Sequence, residues 1–162
     1  MAKPNWLEEL AENWFRMRGY ITQLHVRIPK FGRYELDLLA FNSNEFWIVD
    51  LQTYLGEKGA YRKEASGLAH KFKFYIDGFR TTPPYSNLFK SRKLKCLFVA
   101  GGNLQFKNLI AKHGIDFMEM EEFLGEILKE VQKYAIKQRW PFPSDDISRL
   151  LYELVLYGFV SS

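Results

Sequence analysis

"RYELDLLAFNSNEFWIVDLQTYLGEKG", residues 33–59, sets one aspartate inside each of two apolar runs and joins the runs through a polar turn. The runs "RYELDLLAF" and "EFWIVDLQT" read as strands, and "NSN" between them as the turn of a hairpin. Alternate residues of a strand share a face. Glu35, Asp37 and Leu39 therefore fall on one side and Leu36, Leu38 and Ala40 on the other, while Ile48, Asp50 and Gln52 oppose Val49 and Leu51. Asp37 and Asp50 can thus point the same way from neighbouring strands. Two carboxylates brought together repel, and burial worsens the repulsion unless a proton or a cation compensates. Mg2+ is one such compensation, since it takes one or two carboxylates with water and phosphate oxygens. An aspartate at an exposed strand end would need none, but two on adjacent strands, each after an apolar lead-in, favour a site.

Outward from this hairpin, periodicity organises the chain. Leu7, Leu10, Ala11, Trp14 and Met17 follow a helical rhythm, Asn5 with Glu8 forms a capping-box pattern, and Gly19 suits the stop, giving a helix over about 5–18. "YITQLHVRIP" adds a strand, so that strands near 20–28, 33–42 and 45–53 make an antiparallel meander, with Asp37 and Asp50 expected on one face near the first helix. Tyr61, Ala65, Leu68, Phe72, Tyr75 and Phe79 mark a second amphipathic helix that ends before a "TTPPYSN" loop. "KLKCLFVAGG" is a buried strand, "LQFKNLIAKHG" a short helix capped at Gly114, and "IDFMEM" a fifth strand before a helix over about 121–138. After "WPFPS", Ser144, Asp145 and Asp146 open a last helix carrying Ile147, Leu150, Leu151, Leu154 and Val155 on one side. The order α, β, β, β, α, β, α, β, α, α predicts an α/β fold, a mixed sheet with helices on both faces. All 162 residues read as one domain, and the last apolar helix packs on its body or on a second copy in a homodimer.

Composition narrows the function classes. With 47% hydrophobic and 17% aromatic residues, the chain can hold a core without a metal or a disulfide. Cys96 is alone and sits in an apolar strand, the setting of an inert thiol. The first residues lack a signal-peptide core and no window is apolar enough for a membrane span, so a soluble cytoplasmic protein is expected. His25, His70 and His113 are scattered on three elements, without zinc-ligand spacing among themselves or with Cys96. "VAGGN" is followed by no phosphate-loop signature. The net charge of +4 is uneven: residues 57–95 hold ten Lys or Arg against three acids. Such a stretch is either a solvated face or the footprint of a polyanion. On the second helix, Arg62, Lys63, His70, Lys71 and Lys73 fall opposite the apolar stripe, where they could reach a DNA backbone.

The helix ending in "RGY", the strands "YELDLLAF" and "FWIVDLQT", the amphipathic helix and the strand "CLFVAGG" together resemble the restriction-endonuclease-like fold of the PD-(D/E)XK nuclease superfamily. The resemblance covers a core of about residues 5–120 and leaves a C-terminal helical extension over about 121–160. It implies an αβββαβ core in which Asp37 and Asp50 take the two acidic positions, hold Mg2+ or Mn2+, and serve DNA phosphodiester hydrolysis. Members such as Holliday junction resolvases add a glutamate from the first helix, for which Glu8 is the best match, with Glu9 and Glu12 as rivals.

Two departures qualify what the resemblance implies. Asp50 stands where the family usually has Glu, and Gln52 where it has Lys. An amide carries no charge and cannot act as a base, although some members use Gln there and others recruit a lysine from the following helix. Lys58 and Lys63 are the candidates for that migration. Two readings follow: a metal-dependent deoxyribonuclease in which Gln52 orients water and Glu8 assists, or a catalytically degenerate relative acting as a DNA-binding or assembly module.

Overall fold

The structure is a computed structural model that describes residues 5–28, 34–52, 61–101 and 104–136, without the side chains of 61–63, 104–105 and 134–136. The expected final helix beyond residue 143 lies outside the described residues. Helix α1 (Trp6–Met17) starts at a capping box: Asn5 Oδ1 accepts from the Glu8 amide at 3.0 Å, and Glu8 Oε2 accepts from the Asn5 amide at 2.9 Å. The paired acceptors satisfy two of the amides that a helix start leaves without partners. Gly19, at φ +88°, then turns the chain into β1 (Ile21–Arg27). The hairpin of β2 (Glu35–Phe41) and β3 (Glu45–Gln52) closes through Asn42, whose Oδ1 accepts from the amides of Asn44 and Glu45, each at 2.8 Å. The "NSN" turn is thus held by its own first side chain.

From β3 the chain crosses through α2 (Tyr61–Thr81) and α3 (Tyr85–Lys90) to β4 (Lys93–Ala100), then through α4 (Leu104–Ala111) to β5 (Asp116–Glu119), and ends its described part in α5 (Met120–Ile136). Helix α3 is a correction, since the paired prolines of "TTPPYSN" indicated a loop. Pro84 instead occupies the cap position of this short helix, where its missing amide costs no hydrogen bond.

One five-stranded sheet has the order β1-β2-β3-β4-β5, antiparallel through β3 and parallel from β3 to β5. Its two faces carry separate apolar clusters. Leu39, Ile48, Cys96 and Phe98 pack under Leu68, Phe72, Tyr75 and Phe79 of α2. Leu38, Val49, Leu97 and Val99 pack under Leu7, Ala11 and Trp14 of α1 and Phe123 and Ile127 of α5. Strands β3 and β4 are buried on both sides, which is why "KLKCLFVA" is a nearly unbroken apolar run. The chain is therefore an α/β protein with a mixed sheet between two helical layers. No helix among the described residues is long and apolar enough to cross a membrane.

The facing of the β1–β2 ribbon reverses near its end. Leu24 and Leu38 belong to the α1 side, yet Val26 and Leu36, two residues further along each strand, belong to the α2 side. Strict alternation had set Leu36 with Leu38. The cause is local: His25 has φ +53°, a left-handed conformation rare for a residue with a side chain, and the ladder skips the rung between Leu24↔Leu38 and Val26↔Leu36. That missing rung would oppose His25 and Asp37.

Candidate active site

Asp37 and Asp50 stand on adjacent strands, one step past the last β2–β3 rung at Leu38↔Val49. The same register continued would set them directly across from each other. Here the Asp37 side chain replaces the ladder, its Oδ2 accepting from the Leu51 amide at 2.8 Å. Both aspartates share the sheet side of Leu39 and Ile48, which is the side of α2. The expected placement near α1 is thus corrected: the carboxylates share a face, but it is the opposite one.

Asp50 is only 1% exposed, so its charge needs a partner. That partner is Lys71 of α2, whose Nζ donates to both Asp50 oxygens at 3.0 Å. Lys71 belongs to the group expected to face DNA from the outer side of the helix, and it turns inward instead. It sits three residues after Leu68 and four before Tyr75, at the margin of the buried stripe. Its ammonium also lies 5.8 Å from the centre of the Tyr75 ring, whose hydroxyl donates to the Glu35 carbonyl at 2.8 Å. Burial raises the Tyr75 hydroxyl far above its ordinary range, and the Asp50 and Asp37 charges add to this. Tyr75 is therefore a neutral donor that fixes the wall behind the pair.

Asp37 is pushed up to about 8, first by burial, then by the hydrogen bond and the charge it shares with Asp50, against the opposing pull of the Leu51 amide and Lys71. At neutral pH Asp37 is therefore held protonated, while Lys71 lies against both oxygens of Asp50. Among the described residues no three His, Cys, Asp or Glu side chains converge into a metal-holding group. A two-carboxylate pair suits a cation that keeps most of its waters, as Mg2+ does, better than one that needs an all-protein cage.

Asp50 opens into a cavity of about 240 Å3 between the end of β3 and α2, whose wall also holds Gln52, Glu64, Leu68, Lys71 and Phe106. Gln52 is exposed and shares this space with Lys71, two residues beyond Asp50 as the alternation required. Glu64 was not singled out by the sequence. One of its oxygens, Oε2, is buried and meets no hydrogen-bond partner. The signal was present, because Glu64, Leu68, Lys71 and Tyr75 follow a four–three–four rhythm of their own. A larger cavity of about 530 Å3 on the other flank of α2 is lined by His70, Phe72, Lys73, Cys96 and His113 and has no carboxylate in its wall. Burial raises the Cys96 thiol to about 12, so it stays protonated as expected of an inert core cysteine.

Glu8, the expected first-helix ligand, stands in the first turn of α1 and faces His25. It is buried in the capping box, and its Oε2 lies 3.1 Å from His25 Nε2, off the line of a hydrogen bond. His25 Nδ1 meets Glu35 Oε1 at 2.8 Å, and Arg27 Nε meets Glu35 Oε2 at 2.6 Å. Glu35 is held below its usual range by Arg27 and then His25. This second charged group borders Asp37 through the skipped rung. On the outer face of α2, His70 and Lys73 are exposed as expected. The side chains of Arg62 and Lys63, and all of Lys58, lie outside the described residues.

No protein-family model matches the sequence, and no significant similarity to a curated protein is found. Among solved structures, the chain is similar to a crystal structure described as a protein of unknown function, AF1548. The TM-score is 0.50 at 16% identity, over 93% of this chain and 76% of that one. At that identity the likeness speaks for the arrangement of helices and strands alone.

Proposed function

We propose that this chain is a restriction-endonuclease-like, metal-dependent deoxyribonuclease in which Lys71 stands in for the lysine that Gln52 replaces. The observation that carries the reading is the contact of Lys71 Nζ with both oxygens of Asp50, beside a second carboxylate, Asp37, that is hydrogen-bonded to it. In the PD-(D/E)XK pattern the lysine extends from the strand, two residues after the second acid. Here the ammonium arrives from α2 and reaches the same acid, so the charge set of two acids and one lysine is complete although position 52 is an amide.

Asp37 and Asp50 fit Mg2+ or Mn2+ by donor type, and either ion bound there would supply Lewis-acid polarisation of a phosphodiester and a more acidic water. The chain's own groups supply the rest. Asp37 would have to release its proton to serve as the second negative ligand. Lys71, then sharing Asp50 with another cation, can turn its ammonium towards charge developing on the phosphate. Gln52 lines the same cavity and can hold a water by its amide without taking its proton. His70 and Lys73 are exposed on α2 and would contact the DNA backbone without reading sequence.

The same ion pair favours a second reading, a degenerate nuclease fold acting as a DNA-binding or assembly module, because Lys71 alone satisfies Asp50 and leaves no charge unpaired. Melting in Mn2+ separates the two. A ligand that binds only the native state raises its melting temperature. The nuclease reading expects a rise that Asp37→Asn removes, and the module reading expects none.

A further inference from the structure

Glu64 raises a question that the aspartate pair does not answer. Its Oε2 is buried without a partner among the described residues, in the wall of the cavity that holds Asp50, Gln52 and Lys71. A buried carboxylate oxygen left without a hydrogen bond is costly, and such groups in a native fold usually face an unseen water, an ion or a reacting group. Direct metal ligation does not account for it, since Glu64 forms no three-membered ligand group with Asp37 and Asp50. It lines the same cavity as Asp50. A space of about 240 Å3 holds several waters, each occupying roughly 30 Å3 in the liquid.

The remaining chemistry of the cavity lacks a proton acceptor. Gln52 cannot be a base, Lys71 is an ammonium bound to Asp50, and Asp50 is held by that ammonium. We propose, resting on the nuclease reading, that Glu64 is the general base: its carboxylate accepts the hydrogen bond of the attacking water and takes its proton. As the water oxygen bonds to phosphorus, one proton passes to Glu64. The phosphorus–oxygen bond to one neighbouring sugar breaks, its electron pair stays on the leaving oxygen, and that oxygen takes a proton from solvent. Glu64 then returns its own proton to solvent. The helix supports this assignment, because Glu64 and Lys71 are two turns apart on one side of α2 and both line the cavity that holds Asp50.

The test uses the full chain carrying Glu64→Gln or Glu64→Ala, with two readouts: melting temperature with and without Mn2+, and the pH dependence of single-turnover cleavage of supercoiled plasmid DNA. The expected Glu64→Gln protein melts at or above the wild-type temperature without metal and keeps the wild-type Mn2+ shift. Its cleavage falls by about 100-fold or more, the contribution typical of a lost general base. Its residual rate climbs with pH as hydroxide replaces the missing base, and Glu64→Ala falls further because it also loses the acceptor oxygen. Wild-type cleavage in Glu64→Gln would overturn the assignment and leave the nuclease reading standing. Loss of the Mn2+ shift would make Glu64 a metal ligand instead, and a large fall in melting temperature without metal would make it structural. Either overturns the proposal. A wild-type protein that neither cleaves nor responds to Mn2+ overturns the nuclease reading itself.

Discussion

Lys71 Nζ lies 3.0 Å from each oxygen of Asp50, a residue that is 1% exposed, third from the end of the central strand β3. A helix thus supplies the countercharge for a sheet residue that cannot otherwise be buried ionised. Removing the lysine alone leaves that charge stranded. Lys71→Met should destabilise the fold by about 2–3 kcal/mol, below the upper end for broken buried pairs because the Lys71 side chain is itself partly exposed. Asp50→Asn added to Lys71→Met should recover much of the loss. Urea unfolding of the four proteins of the cycle measures the coupling, and additive effects would mean the two side chains do not act as a pair.

The raised Asp37 makes stability depend on pH in a defined direction. Its carboxyl is at about 8 in the folded chain against an ordinary 3.8. Between these values the folded state holds a proton that the unfolded state has released. The stabilisation is therefore complete below 3.8, declines as pH rises, and is gone above about 8. Melting temperature without metal should fall more between pH 6 and 8.5 in wild type than in Asp37→Asn. The Mn2+ shift should grow over the same interval, as the competing proton leaves; a shift independent of pH would place the ion elsewhere.

Glu8 closes the capping box at the start of α1 and lies against His25. Glu8→Ala should cost about 1 kcal/mol through the lost half of the capping box. Mn2+ binding, read as a melting shift, should survive it. A vanished shift would bring Glu8 back into the site as a first-helix ligand.

How far the sequence could be read depended on whether a residue's direction is set locally. Strand alternation within "ELDLLAF" and "FWIVDLQ" was enough to bring Asp37 and Asp50 to one face, because a hairpin with a three-residue turn fixes its own register. Which helix covers that face is not local, so α1 was expected where α2 lies. Lys71 eluded the reading for a related reason. It lies at the margin of the stripe Leu68–Phe72–Tyr75, where a small rotation of the docked helix decides between solvent and sheet. The reversal at His25 depends on one backbone angle, and a histidine gives no sign in sequence that it will be left-handed.

Gln52→Lys tests the substitution of one lysine for another. In wild type a second ammonium beside Lys71 meets like charge, so Gln52→Lys alone should change Mg2+-dependent cleavage little. In a Lys71→Met background it should restore a substantial part of the lost rate, since an ammonium would again stand in the cavity that Asp50 lines. Equal gains in both backgrounds would show that Lys71 never filled that role.

Cleavage of supercoiled plasmid in Mg2+ by wild type, Asp50→Asn and Lys71→Met, followed in single turnover, tests the central claim most directly. The account predicts wild-type cleavage that requires the metal, and a loss of about 100-fold or more in each variant, the scale of removing one electrostatic contact to the transition state. Metal-dependent cleavage that persists in Lys71→Met would contradict the role of Lys71, and a wild-type protein that leaves the plasmid intact in both Mg2+ and Mn2+ would contradict the enzyme.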